Sequence, residues 1–182
     1  MSSVVPQHRG PWHFEELADL PDDGRRYEVV DGALVVTPPP GHLHQAVGAE
    51  LLAQLAAQRT PDWRVVYEWG LPLGTDGRVP DLAVVRRDAS LRGPGPYPVG
   101  PEHVGLVVEI VSPSSRKTDR FAKPGEYAEA GIPLFWRVET DPDVMLHAFR
   151  LVDGGYVETD VVQRGVVEAP WGPVQVDLTS LV

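Results

Sequence analysis

Glu109 is the one acid in the run GLVVEIV (residues 105–111), which is otherwise nonpolar and rich in β-branched residues. Such a run forms a strand buried on both faces. An ionised carboxylate there is costly unless it is paired or coordinates a metal. Asp81 follows Pro80 and opens the run LAVV on a neighbouring strand. Two acids on adjacent strands can converge on one divalent cation, and hard oxygen ligands suit Mg²⁺ or Mn²⁺. Otherwise Glu109 answers an arginine or lysine in an internal ion pair, and Pro80-Asp81 is a turn. Lys123 falls on the helical segment after the Glu109 strand. An ammonium group pointing back over the strand end could orient an attacking water and offset charge developing on a phosphate. Arg116 and Lys117 lie nearer Glu109 in sequence and compete for that role, and most lysines are solvated surface groups.

These residues must be positioned by the elements around them. Residues 13–20 read as a short helix ending at Pro21. Runs 26–30 and 33–37 flank Asp31-Gly32, a strong hairpin signal. Residues 42–59 form the clearest helix, with Leu43, Val47, Leu51 and Leu55 recurring every four residues. Strands follow at 63–69 and 78–86, the second starting or bulging at Pro80. After a Gly/Pro-rich loop (92–101) and the Glu109 strand, Ser112 to Ser115 offer helix caps. The next helix runs to about Ala130 and stops at Gly131, with a break that leaves Pro124 at the first position of a second segment. Residues 134–139 are a strand, with Phe135 and Trp136 facing opposite sides. Runs 144–151 and 156–162 flank Asp153-Gly154-Gly155, a second hairpin, and PVQVDL closes the chain as a strand. The sum is an α/β (α+β) domain around a mixed sheet.

The chain has 182 residues, which suggests one domain. No internal repeat is present. The absence of cysteine excludes disulfides, thiolate metal sites and cysteine nucleophiles. No membrane span or signal-peptide pattern is found, so a cytoplasmic protein is expected. The net charge of −10, from 26 acids and 16 bases, argues against holding nucleic acid by bulk electrostatics. It leaves room for a local basic patch or metal-bridged phosphate contacts. No nucleophile elbow, P-loop, dinucleotide fingerprint or H-E-x-x-H motif is found.

The segments VPDLAVV (79–85), VVEIVSPSS (107–115), TDRFAKPGEYAEAGIP (118–133) and LFWRVE (134–139) resemble the Uma-two family of the PD-(D/E)XK nuclease superfamily. The opening stretch YEVVDGALVVTPPPGHLHQ (27–45) resembles it too, so the likeness runs from Tyr27 to Glu139. The resemblance implies a restriction-endonuclease-like core of helix, three strands, helix and strand over about 42–139. Hairpins at 26–37 and 144–162 extend it within a single domain of residues 1–182. It implies Asp81 and Glu109 as metal ligands, with a main-chain oxygen near Ile110 as a further candidate. The superfamily's basic position, two residues after the acid, is Val111 here, and the family's helix lysine matches Lys123. Glu28 matches an acid of the opening motif and is a candidate metal or water ligand, or else an exposed acid on an edge strand. His44 matches a histidine of that motif. His42 and His44 do not face one way on a helix, so capping or support of a ligand suits His44 better than zinc.

The expectation is a Mg²⁺- or Mn²⁺-dependent endonuclease acting on DNA, with no membrane partner and a homodimer or higher homo-oligomer as the working assembly. The alternatives are a catalytically inactive oligomeric or regulatory module on the same fold, or a hydrolase of small phosphate esters. Glu109→Gln separates a metal ligand from an ion-pair partner. A ligand role predicts sharply weaker divalent-ion binding by a folded protein in a metal titration. A purely structural role predicts a loss of about 3–5 kcal/mol in denaturation with activity per folded molecule unchanged.

Overall fold

The apolar runs pair into a six-stranded mixed sheet with smaller sheets at its margins. The computed structural model describes residues 8–21, 23–92, 95, 97–113 and 115–181. A 3₁₀ turn (Phe14–Asp19) precedes the hairpin β1 (Arg26–Val30) and β2 (Ala33–Thr37). Helix α1 (His42–Gln58) leads into β3 (Trp63–Tyr67), the short β4 (Leu71–Leu73) and β5 (Asp76–Arg78), and then β6 (Leu82–Arg86). Strand β7 (Val104–Ile110) is followed by helix α2 (Lys123–Glu129) and β8 (Leu134–Glu139). The chain ends in β9 (Met145–Val152), β10 (Gly155–Val162), β11 (Arg164–Ala169) and β12 (Gly172–Asp177).

The large sheet has the order β10-β9-β8-β7-β6-β3. Only the β7–β8 pair in it is parallel, among the described residues, because helix α2 connects the two strands. The order α1, β3, β6, β7, α2, β8 is the expected helix, three strands, helix and strand, with β4 and β5 inserted as an excursion. The 144–162 hairpin joins the central sheet, with β9 pairing with β8 along its length. The final strand pairs with Arg164–Ala169, a strand the sequence reading did not mark, in a β12 register from Arg164↔Asp177 to Ala169↔Gly172.

Both faces of the sheet are covered, which explains why its central strands lack polar alternation. On one face, Val47, Leu51 and Leu55 of α1 pack with Leu82, Leu106, Val108, Trp136 and the β11–β12 hairpin. Leu43, counted in the apolar stripe, is exposed, and His44 and Gly48 take the buried positions instead. On the other face, Tyr127 and Ile132 cover Ala83, Val107 and Phe135. Phe135 and Trp136 do face opposite sides. Each fully buried aliphatic or aromatic side chain contributes about 1.5–3 kcal/mol.

The helix after β7 solves the Pro124 problem locally. Proline has no N–H to donate inside a helix. The turn just before it, Thr118–Ala122, is one residue wider than an α-turn, and the Lys123 N–H bonds back to Thr118 O. The helix ends at Gly131, whose φ of +77° suits glycine. A four-stranded sheet of order β2-β1-β5-β4 brings β1 beside this helix. Gly77 on β5 faces Val29 of β1, and a Cβ at that position would lie 2.3 Å from the ring of buried Phe14. Gly77→Ala should therefore destabilise the chain by about 1–3 kcal/mol through overpacking, read as a lower midpoint in chemical denaturation.

Candidate functional site

Strand pairing builds the site. The β6–β7 register pairs Leu82 with Val108 and Ala83 with Val107. Continued by one step, that register sets Asp81 opposite Glu109. Alternation turns both toward the α2 side, with Ala83 and Val107. On the helix, Asp119, Lys123 and Tyr127 recur at four-residue spacing and so share one face. All five side chains are buried. Strand β1 adds Arg26 and Glu28, two residues apart and thus on one face.

Lys123 Nζ is 2.9 Å from Glu109 Oε2, 3.2 Å from Asp119 Oδ1 and 3.7 Å from Glu28 Oε1. The Tyr127 hydroxyl donates to Glu109 Oε1 at 2.5 Å. Asp81 is held from three directions. Arg26 Nη1 donates to its Oδ1 at 2.6 Å, the Ile110 N–H donates to its Oδ2 at 2.7 Å, and His44 Nε2 lies 3.2 Å from Oδ2. Glu28 accepts from the Val79 N–H at 2.9 Å and from Arg78 at 3.3 Å. Arg78 in turn makes a two-pronged contact to Glu126, both prongs at 2.6 Å.

The structure thus brings Asp81, Glu109, Lys123 and Glu28 into one cluster and sets His44 behind Asp81. Glu28 is buried, and β1 lies between β2 and β5 rather than at an edge. The exposed-acid alternative for Glu28 therefore fails. His44 makes no capping contact at the start of α1, where Gly41 is the cap residue. Arg116, the rival cation, instead pairs with Asp141 at 3.0 Å on the surface. Four participants escaped the sequence reading: Arg26, Arg78, Asp119 and Tyr127. The four-residue spacing of Asp119, Lys123 and Tyr127 carried a signal for two of them. The alternation of Arg26 with Glu28 carried one for a third.

The electrostatics are those of an acid-rich interior. Burial pushes the Glu109 carboxyl up, against the lowering by Lys123 and with the neighbouring Asp119, Asp81 and Glu28 adding to the rise, so it reaches about 8. Burial alone would lower Lys123, but Glu109, Glu28, Asp119 and Asp81 hold its ammonium charged well above the ordinary lysine range. Burial would raise Asp81, yet the His44 hydrogen bond and the Arg26 charge bring it down to about 2. The donor set fits a hard divalent cation: Asp81 and Glu109 offer adjacent carboxylates in a cluster short of positive charge. Mg²⁺ commonly takes one or two carboxylates, with waters and substrate phosphates completing its shell. Among the described residues, no group of three histidine or acidic side chains forms a ready-made metal cage.

Two clefts flank the cluster. The smaller, about 250 Å³, is lined by Arg26, Tyr27, Pro38 to Pro40, Glu68 and Val79. The larger, about 470 Å³, meets the cluster at Arg78 and Glu126. No helix among the described residues is long and apolar enough to cross a membrane.

A family model named Uma2, described as "Putative restriction endonuclease", matches residues 14–175. The chain is also similar to a crystal structure described as a putative nuclease belonging to DUF820 from Anabaena variabilis ATCC 29413. That likeness has 20% identity and a TM-score of 0.73, covering 94% of this chain and 97% of the other. At that identity it shows a shared mixed α+β fold with several sheets. A search among curated proteins finds no match.

The raised Glu109 carboxyl has a consequence for stability. Its folded value, about 8, lies above its ordinary 4.5, so the native state binds this proton more tightly than the unfolded chain does. The group's contribution is full at low pH and is lost as pH rises through that window. Urea denaturation across the window should show the native chain losing stability with rising pH more steeply than Glu109→Gln, which cannot ionise.

Proposed function

The chain belongs to the Uma2 family, and from that premise we propose that it is a metal-dependent endonuclease hydrolysing DNA phosphodiester bonds. The observation that carries this reading is the buried Asp81–Glu109 pair on adjacent strands, with the Lys123 ammonium against Glu109. On a restriction-endonuclease-like core, Asp81 and Glu109 would hold Mg²⁺ or Mn²⁺. When bound there, such an ion supplies Lewis-acid polarisation of a phosphate and lowers the pKa of water.

The chain's own residues do the rest. The Ile110 N–H and His44 fix the Asp81 carboxylate in one orientation. Tyr127 fixes the Glu109 oxygen that Lys123 does not touch. Lys123 stays charged through the physiological range, because four acids hold its proton. It therefore serves as a permanent cation beside the phosphate, orienting water and stabilising developing negative charge, and not as a base. Glu28 and Asp119 keep that ammonium in place from its other sides. The net charge of −10 makes tight binding by bulk electrostatics improbable, so affinity for DNA should come from the site. A two-fold homodimer belongs to the same proposal. The exposed Val157 and Val161 on β10, an edge strand, support an interface there.

One observation favours a second reading. Both oxygens of Asp81 and of Glu109 already accept protein hydrogen bonds, so the cluster holds itself together without metal. A non-catalytic regulatory or oligomeric module could keep it for structure alone.

Cleavage of single-stranded, duplex and branched DNA in Mg²⁺ or Mn²⁺ separates the two. The native chain should cut, chelation should stop it, and Asp81→Asn and Lys123→Ala should each cost about 10²–10³-fold in rate per folded molecule, with Lys123→Ala also less stable because it strands buried acids. Cutting of small phosphodiesters but not of DNA would point to a small-ester hydrolase. A folded chain that binds metal and cuts neither would favour the regulatory module.

A further inference from the structure

Arg26 stands between the buried acids and the solvent. Its Nη1 donates to Asp81 Oδ1 at 2.6 Å and to the Val79 carbonyl at 3.3 Å. Its side chain is 16% exposed, against 2% for that of Asp81. It lines the 250 Å³ cleft, whereas neither Asp81 nor Glu109 lines that cleft or the 470 Å³ one. The other Asp81 oxygen faces inward, to the Ile110 N–H and His44. Oδ1 is therefore the oxygen that a cation arriving from this cleft would meet, and a guanidinium already holds it. Burial opposes the charge on Arg26, but Asp81, Glu109 and Glu28 together keep it above the ordinary arginine value. Its charge thus feels the two acids that would share a metal.

We propose that Arg26 is a built-in competitor for the divalent cation: its guanidinium neutralises Asp81 in the metal-free protein and must leave Oδ1 before a metal ion can bind there. This rests on the metal-dependent reading of the site given above. A guanidinium suits the task because it stays charged at any physiological pH and bonds carboxylates strongly. It keeps a buried acid from standing uncompensated, which would otherwise destabilise the fold. The cost is affinity, since every metal-binding event must first break a short charge-assisted hydrogen bond. The ordered, ion-paired cluster and the metal-loaded cluster are two occupancies of one oxygen.

The test is calorimetric titration of Mn²⁺ into the full native chain, Arg26→Met and Asp81→Asn, each checked for folding by circular dichroism. Arg26→Met should bind Mn²⁺ about tenfold more tightly than the native chain, and Asp81→Asn should lose binding. A second measurement on the native chain needs no variant: the side-chain nitrogen resonances of Arg26 should shift as Mg²⁺ saturates the site. Equal or weaker Mn²⁺ affinity in folded Arg26→Met, or unmoved Arg26 resonances in the Mg²⁺-bound chain, would overturn the competition and leave the metal reading intact. No Mn²⁺ binding by the native chain and Arg26→Met alike would overturn both.

Discussion

The buried ammonium of Lys123 joins three elements, one of them, the N-terminal hairpin, far away in sequence. It sits on the helix after β7, bonds Glu109 of the central strand, and lies within ion-pair distance of Glu28 on the N-terminal hairpin. Asp119, one helical turn before it, completes its surroundings. A charge with no route to water must be met on every side, and each partner is equally stranded without it. Glu28 reaching Lys123, with Arg26 on Asp81, helps set where the N-terminal hairpin docks, and the helix packs with Lys123 facing Glu109 of β7. The same interaction therefore fixes the docking of two elements and the place of the candidate site. The wide turn before Pro124 serves it too, since it lets Asp119 and Lys123 both face inward despite the proline.

Around that centre, five carboxylates (Glu28, Asp81, Glu109, Asp119 and Glu126) meet three permanent cations, Arg26, Arg78 and Lys123. The deficit falls on Glu109, a fully buried acid whose carboxyl is pushed up while those of Asp81 and Glu28 are held down. A cluster arranged only for stability would be better balanced, because buried ion pairs gain little over apolar packing. An extra dication beside Asp81 and Glu109 would correct the imbalance. Arg26 is the partial correction the chain carries itself.

Local chemistry made much of this legible from sequence. Asp31-Gly32 and Asp153-Gly154 sit at positive φ in the two hairpins, as their residue types require. The acid inside GLVVEIV marked a buried carboxylate, and Glu109 is buried on the central strand. What escaped depends on distance in sequence. Arg26 meets Asp81 across 55 positions; alternation sets Arg26 on the face of Glu28 but does not say which acid it reaches. The β9–β10 hairpin was legible as a hairpin because that signal is local, while its pairing to β8 is not. β11 was missed because RGVVEA lacks clean alternation, and Leu43 was misplaced because a four-residue spacing drifts around a helix of 3.6 residues per turn.

The central claim is that the Asp81–Glu109 pair exists to hold a divalent cation. Its most direct test is a crystal structure of the Mn²⁺-soaked protein with anomalous data at the manganese edge. The account predicts an anomalous peak bonded to Asp81 Oδ1 and a Glu109 oxygen, with the Arg26 guanidinium moved off Asp81. Peaks confined to surface acids, with the Arg26–Asp81 and Lys123–Glu109 pairs intact at saturating metal, would contradict it.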